Sequence, residues 1–208
     1  CTLLESEYGV QQGQLDFVFI DHDKTAYLPD LLTIMGRGWL HPGSIVVADT
    51  WNHRIQQLDA SGRFVHTFGQ EGSGPQDLKC PSDVCHLDRR FCPSSSASSL
   101  LLVTDCENKR VVMWSSDGRQ AVSQIEVGGE VNGVCVDLNG FVYVSMGDLH
   151  VVKIYDPRRN GDGALLQTLG GEKGSDPGQF SVPAGMCVDD TNTLMVVDSG
   201  NNRVQFFD

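Results

Sequence analysis

The chain has 208 residues, 40% hydrophobic and 20% charged, with 23 glycines and 8 prolines, enough to bury a core in one or two domains and unlike a disordered or fibrous composition. Acidic residues outnumber basic ones 27 to 15, for a formal charge of −12, and a field of that sign repels phosphate and argues against bulk binding to nucleic acid or anionic membrane. No apolar run approaches the ~20 residues of a membrane helix, so no membrane association is expected. The cysteine count of 7 is odd for a disulfide scaffold, and no Asn-x-Ser/Thr sequon occurs, so a reducing, cytoplasmic setting is favoured. The chain opens on Cys1 without a methionine or a basic, apolar leader, and reads as a piece of a longer one.

Residues 1–42 read differently from the remainder of the chain. Leu15–Ile20 (LDFVFI) is an uninterrupted apolar strand of the kind covered on both faces in a parallel sheet. Ala26–Met35 predicts a short helix, with Pro29 in its first turn and Gly36 and Gly38 closing it. Ser44–Ala48 predicts a second strand. This is a βαβ fragment with an acid at the carboxyl end of each strand, Asp21 and Asp49, where open α/β sheets bind ligands.

The run DFVFIDHDKTAYLPDLL…GWLHPGSIVVAD resembles the C-terminal half of the catechol O-methyltransferase family over residues 15–49. The resemblance implies Asp21 and Asp49 as magnesium ligands, Lys24 as the general base, and S-adenosylmethionine as the methyl donor. Thr50 stands where that family has Asn, and no glycine-rich strand–turn–helix precedes the segment. The expectation is a fragment or relic with little or no methyltransferase activity.

From residue 43 to 208 the signal is repetition. Ile45–Asp59 (IVVADTWNHRIQQLD), Leu101–Ser115 (LLVTDCENKRVVMWS) and Leu194–Asp208 (LMVVDSGNNRVQFFD) share one pattern: strand, Asp, two residues, Asn, one residue, Arg, strand. Val142–Asp156 (VYVSMGDLHVVKIYD) keeps both strands but has Met146 and Val151 where the others have Asp and Arg. The equivalent positions 49, 105, 146 and 198 lie at intervals of 56, 41 and 52 residues, the spacing of propeller blades. The linker Gly69–Asp88 aligns without gaps to Gly171–Asp190.

Each unit reads as four strands in series. An inner strand (Asp83–Leu87, Asn132–Val136, Ala184–Val188) precedes a second (Ile45–Ala48, Leu100–Thr104, Phe141–Ser145, Thr193–Val197). A third begins near Arg54, Arg110, Val151 and Arg203, and an outer one covers Phe64–Phe68, Ala121–Val127 and Ala164–Leu169. Ser61-Gly62, Asp117-Gly118, Asn139-Gly140 and Asn160-Gly161 supply hairpin turns. The first unit lacks an inner strand and the last an outer one, leaving about three and a half units.

A hairpin sets Asp49 beside Arg54, Asp105 beside Arg110 and Asp198 beside Arg203, so each guanidinium is expected to grip its carboxylate with two hydrogen bonds. The intervening Asn is expected to take the left-handed backbone of the turn. Joint loss of both partners at Met146 and Val151 supports the pairing, because losing one alone would strand a charge. Repeated pairs of this kind are structural rather than catalytic.

These motifs resemble the NHL repeat family over residues 43–208, the nearest match to its name being Asn52-His53-Arg54. The resemblance implies a mainly β fold, a partial β-propeller whose loop faces bind protein, RNA or small ligands, with further blades from the rest of the chain or another subunit. Cys85, Cys135 and Cys187 share one inner-strand position near the propeller axis. Cys80, Cys85, His86 and Cys92 lack the second close pair of a zinc ribbon, so buried or loop thiols are expected there.

The function expected is a non-catalytic binding or scaffold module with a protein partner and no cofactor. The alternatives are the methyltransferase relic and an RNA-binding propeller, the latter disfavoured by net charge and by arginines engaged in pairs. Val204, Phe206 and Phe207 are expected on an uncovered flank.

Overall fold

The computed structural model describes residues 45–59, 61–93, 98–159 and 162–208. Their regular structure is nearly all β. The strands are β1 (Ile45–Asp49), β2 (Arg54–Leu58), β3 (Phe64–Phe68), β4 (Val84–Leu87), β5 (Leu100–Asp105), β6 (Arg110–Ser115) and β7 (Ala121–Glu126). They continue with β8 (Val131–Val136), β9 (Val142–Met146), β10 (Val151–Asp156), β11 (Ala164–Gly170), β12 (Pro183–Val188), β13 (Leu194–Asp198) and β14 (Arg203–Phe207). No helix among the described residues is long and apolar enough to cross a membrane.

The strands form meanders ordered β1-β2-β3, β4-β5-β6-β7, β8-β9-β10-β11 and β12-β13-β14. Every third strand begins at the residue that the repeat predicts, and among the described residues the first sheet has no inner strand and the last no outer one. Polar turn residues make the reversals. Asp59 accepts from the Ser61 and Arg63 N–H groups, and Asp137 from those of Asn139 and Phe141. Asp189 does the same with Thr191 and Thr193.

The strand Ile45–Asp49 fits both the βαβ pattern and the first repeat. It lies beside β2 in the sheet β1-β2-β3, which is the repeat's use of a strand that both patterns claim. The rest of the βαβ prediction, with Asp21 and Lys24, lies outside the described residues, as does the Asn160-Gly161 turn.

The described residues fall into two compact units, Ile45–Val47 with Gln56–Thr67, and Ala48–Ile55 with Phe68–Asp208. In the second unit, sheets stack through apolar side chains. Leu102, Val111 and Met113 pack with Val134, Val142, Val144, Met146 and Val151 of the next sheet. Cys135 and Val152 of that sheet pack in turn with Phe180, Leu194 and Val196. A sheet covered on both sides must be apolar on both, and β5 is buried along its whole length. Each such aliphatic side chain contributes about 1.5–3 kcal/mol on burial.

The sheets β4–β7, β8–β11 and β12–β14 share no backbone ladder, so side chains stitch one to the next. The Val134 N–H donates to Asp83 Oδ2 at 2.9 Å, while the Val84 N–H donates to Oδ1 at 2.8 Å. Ser82 Oγ donates to the Val131 carbonyl at 3.0 Å, and Ser145 Oγ to the Ala184 carbonyl at 2.6 Å. Burial pushes the Asp83 carboxyl up to about 6 from 3.8, against the pull of its two N–H donors. A carboxyl whose folded pKa is raised favours the fold most when protonated, and that advantage is lost as pH rises from about 4 to about 6. Asp83→Asn removes this dependence. Urea unfolding at pH 4 and pH 7 should show wild type losing about 2–3 kcal/mol relative to the variant over that interval. Parallel stability–pH curves would contradict this account of Asp83.

Candidate functional site

The turns between second and third strands, with the linkers entering the next sheet, build one end of the stacked sheets. Each Asp–Arg pair sits at the base of such a turn. Arg54 Nε donates to Asp49 Oδ2 at 2.8 Å, Arg110 Nε to Asp105 Oδ2 at 2.7 Å, and Arg203 Nε to Asp198 Oδ2 at 2.8 Å. The pair at Asp105 and Arg110 is almost wholly buried, with side chains 0% and 6% exposed, whereas Arg54 is 40% exposed.

At Arg110 and Arg203 the expected two-bond grip is not what forms, because other guanidinium nitrogens turn to the linker. Arg110 Nη2 donates to the carbonyls of Gly74 and Asp77 at 2.7 and 3.0 Å. Arg203 donates to those of Ser175, Asp176 and Gln179 at 2.6, 3.0 and 2.8 Å. The carboxylates reach the same linkers from the other side, accepting from the N–H of Lys79 (Asp105) and of Ser181 (Asp198), each at 2.6 Å. Each of these buried pairs clasps the chain entering its own sheet. Burial works against the Asp198 carboxylate, yet its donors Asn201, Ser181 and Arg203 hold its pKa below the usual carboxylate value.

The motif Asn has a different job from the one its residue type suggests. The left-handed residue is the next one along: His53, Lys109, His150 and Asn202, at φ of 54°, 58°, 57° and 52°. The motif Asn instead donates its amide. Asn108 Nδ2 reaches Asp105 and the Gly72 carbonyl, and Asn201 Nδ2 reaches Asp198 and the Gly174 carbonyl. These contacts force the linker glycines close to neighbouring side chains. A Cβ on Gly72 or Gly174 would run into Asp77 or Gln179.

Two histidines join the clasp unannounced by the motif. His53 Nδ1 accepts from the Cys80 N–H at 3.1 Å, and His150 Nδ1 from the Val182 N–H at 3.2 Å. Cys80 and Val182 have φ of 51° and 58°, which costs a residue with a Cβ about 1–2 kcal/mol. The signal available in sequence was the aligned dipeptides Cys80-Pro81 and Val182-Pro183, each preceded by a unit with His before its third strand.

In the third sheet, Met146 and Val151 are buried cross-strand partners in the core. Other side chains hold that turn: Asn132 Oδ1 accepts from the Gly147 N–H at 2.9 Å, and Asp148 Oδ1 from the Glu130 N–H at 3.1 Å.

On this clasped frame, Trp51 is 68% exposed, Leu149 40% and Val182 39%. Leu149 borders Gly129, and Val182 borders Gly147. Exposed acids stand on the same kind of turn and linker, among them Glu107, Glu130 and Asp148. Cys80 Sγ donates to Glu107 Oε1 at 3.3 Å, and burial, more than that carboxylate, pushes the Cys80 thiol up. Burial also pushes Cys106 up to about 11, so both thiols stay protonated at neutral pH and are weak nucleophiles.

Among the described residues, no group of three or more His, Cys, Asp or Glu side chains could hold a metal ion. Cys92 Sγ donates instead to the carbonyls of Leu87 and Asp88. Both Asp49 oxygens are engaged, by Arg54 and by Asn52 at 2.8 Å each. Asp49, the described member of the magnesium set implied by the methyltransferase resemblance, is thus held within its own hairpin.

The family model of the NHL repeat matches residues 180–207. That stretch is similar to an NHL repeat. It carries the third clasp complete, from Ser181 to Arg203. The sheets also resemble solved structures at identities that speak for the fold alone. They include a streptogramin B lyase (14% identity, TM-score 0.52, 79% of this chain and 51% of that one). The mitotic checkpoint complex structure (14%, 0.55, 79% and 47%) and that of U3-55K (15%, 0.51, 79% and 48%) are similar. The chain thus spans about half the length of these propeller-like neighbours. A probable O-methyltransferase of Mycobacterium tuberculosis is 73% identical over 44 residues, 21% of this chain and 19% of that protein.

The buried clasp sets a stability hierarchy. Arg110→Ala strands a buried carboxylate and should cost about 3–5 kcal/mol, whereas Arg54→Ala, at a more exposed pair, should cost about 1 kcal/mol or less. Asp105→Met with Arg110→Val, copying the third sheet, should cost less than the sum of the single changes by about 1–3 kcal/mol. Denaturant unfolding of these variants and the two single changes measures this, and strict additivity would refute the coupling.

Proposed function

We propose that the protein is a non-catalytic binding module that takes a protein segment at the clasped loop end. The observation that carries this reading is the exposure of Trp51, Leu149 and Val182 on a turn held by the Asp49–Arg54 pair, a turn held by Asn132 and Asp148, and a linker held by Asp198. Aromatic and aliphatic side chains held on a rigid frame bind at low entropic cost. Exposed tryptophan is also the side chain most often found at the energetic centre of interfaces. The acids on the same kind of turn and linker favour a segment carrying lysine or arginine beside an apolar anchor. The same charge, and the commitment of Arg110 and Arg203 to linker carbonyls, weighs against an RNA ligand. Six cysteines left as thiols among the described residues fit a reducing, cytoplasmic setting.

Peptides selected from a random display library on the purified chain should bind saturably and report through Trp51 fluorescence. Trp51→Ala should weaken them at least about tenfold, the equivalent of about 1.4 kcal/mol, without lowering the melting temperature. Selected peptides indifferent to Trp51 and to Leu149→Asp would overturn the assignment of this surface.

A second reading has one observation in its favour, the 44-residue identity to a probable O-methyltransferase. We read this match as a relic without methyl transfer, with Lys24 and Asp21 as its remaining candidate base and metal ligand. Its Asp49 has been drawn into the first clasp. Titration calorimetry with S-adenosylmethionine and magnesium should give no saturable heat. Micromolar binding would restore the methyltransferase reading.

A further inference from the structure

We propose that the outer face of the last sheet, β12–β14, is a docking surface for a second copy of this chain. The face carries Cys187, Met195 and Phe206 as a row of cross-strand partners, with Val197 and Val204 as a second row. Phe206 is 66% exposed, Val204 50% and Val197 42%, and Cys187 is exposed as well. Phe207, on the opposite face, is instead half-buried with its ring 5.7 Å from that of Phe180; the flank is narrower than the sequence suggested.

The register shows what such a face is for. In the sheet β4–β7 the same positions are Cys85, Leu102 and Met113 in one row, Thr104 and Val111 in the other. Leu102, Met113, Thr104 and Val111 are all 0% exposed, because the sheet β8–β11 lies on them. In that sheet the rows are Cys135, Tyr143 and Ile154, then Ser145 and Val152. Ser145 and Val152 are again 0% exposed, beneath β12–β14. The open face of β12–β14 therefore continues an interface already made twice within the chain. The occupant in both cases is a sheet of this same repeat.

A second copy presents sheets of that kind. The five side chains of the face are uncharged, whereas each copy carries −12 overall. Like-charged copies repel at long range, so association should strengthen as salt screens that repulsion.

Sedimentation velocity over roughly a hundredfold range of protein concentration should show a reversible monomer–dimer equilibrium that shifts toward dimer with added salt. Phe206→Asp places a carboxylate in the dry interface and should raise the half-association concentration by about tenfold or more. Val204→Lys should act alike, and circular dichroism with thermal melting identifies a variant that has lost its fold. A readout on the unaltered chain stands beside these. Alkylation of Cys187, followed by peptide mass mapping, should slow as concentration rises. A wild-type chain that stays monomeric with Cys187 equally reactive throughout would overturn the proposal. So would self-association that folded Phe206→Asp and Val204→Lys variants leave unchanged, because another surface would then be responsible.

Discussion

The arrangement depends on one constraint: sheets that share no backbone ladder must still be held in sequence. Apolar stacking supplies most of the free energy but is non-directional, and alone it would let one sheet slide over the next. The Asp–Arg–linker clasp supplies direction. Asp105 and Arg110 hold the path from residue 74 to residue 79 between them through carbonyl and N–H contacts. Asp198 and Arg203 repeat this on the path from 175 to 181. A buried ion pair is weak evidence for net stability but good evidence for a specified geometry. Here the geometry specified is the entry of each linker into its sheet.

Much of this was legible because repeats make errors visible. Strand starts at Arg54, Arg110, Val151 and Arg203 followed from aligning four segments, and the linker alignment placed Leu78 and Phe180 in equivalent roles. Both are 0% exposed, and each closes its linker through a parallel bridge, Glu71 with Leu78 and Lys173 with Phe180. The division of labour within the turn was not legible. Residue type argued that Asn52, Asn108 and Asn201 take the left-handed backbone, yet the amides have acceptors waiting on Asp and, in the later turns, on a linker carbonyl. The residue after each Asn carries the strain instead. Local propensity gave way to a side-chain hydrogen bond whose partner lay some 30 residues away, from Asn108 to Gly72 and from Asn201 to Gly174.

The strand Ile45–Asp49 shows the opposite failure, in which two good local readings compete for one segment. An apolar strand ending in Asp suits either a metal-binding α/β edge or the second strand of a blade. The next turn of chain decides between them. Asn52 and Arg54 occupy both oxygens of Asp49 within one hairpin, which short-range geometry makes easy. A metal would have to displace both donors from that carboxylate.

The acidic balance reads differently once its members are located. Asp83 and Asp105 are in the core stitching and the clasp, and Asp59, Asp137, Asp156 and Asp189 cap turns. Such carboxylates are consumed by backbone N–H groups and carry little information about a partner. The informative residues sit where the repeat pattern leaves a position open: Trp51 between the clasp Asp and Asn, Leu149 in the turn that has lost its ion pair, and Val182 at the strained end of a linker. The repeat fixes the backbone at each of these points without prescribing the residue type there, so the frame is set by the regular residues, and the proposed binding falls to the irregular ones.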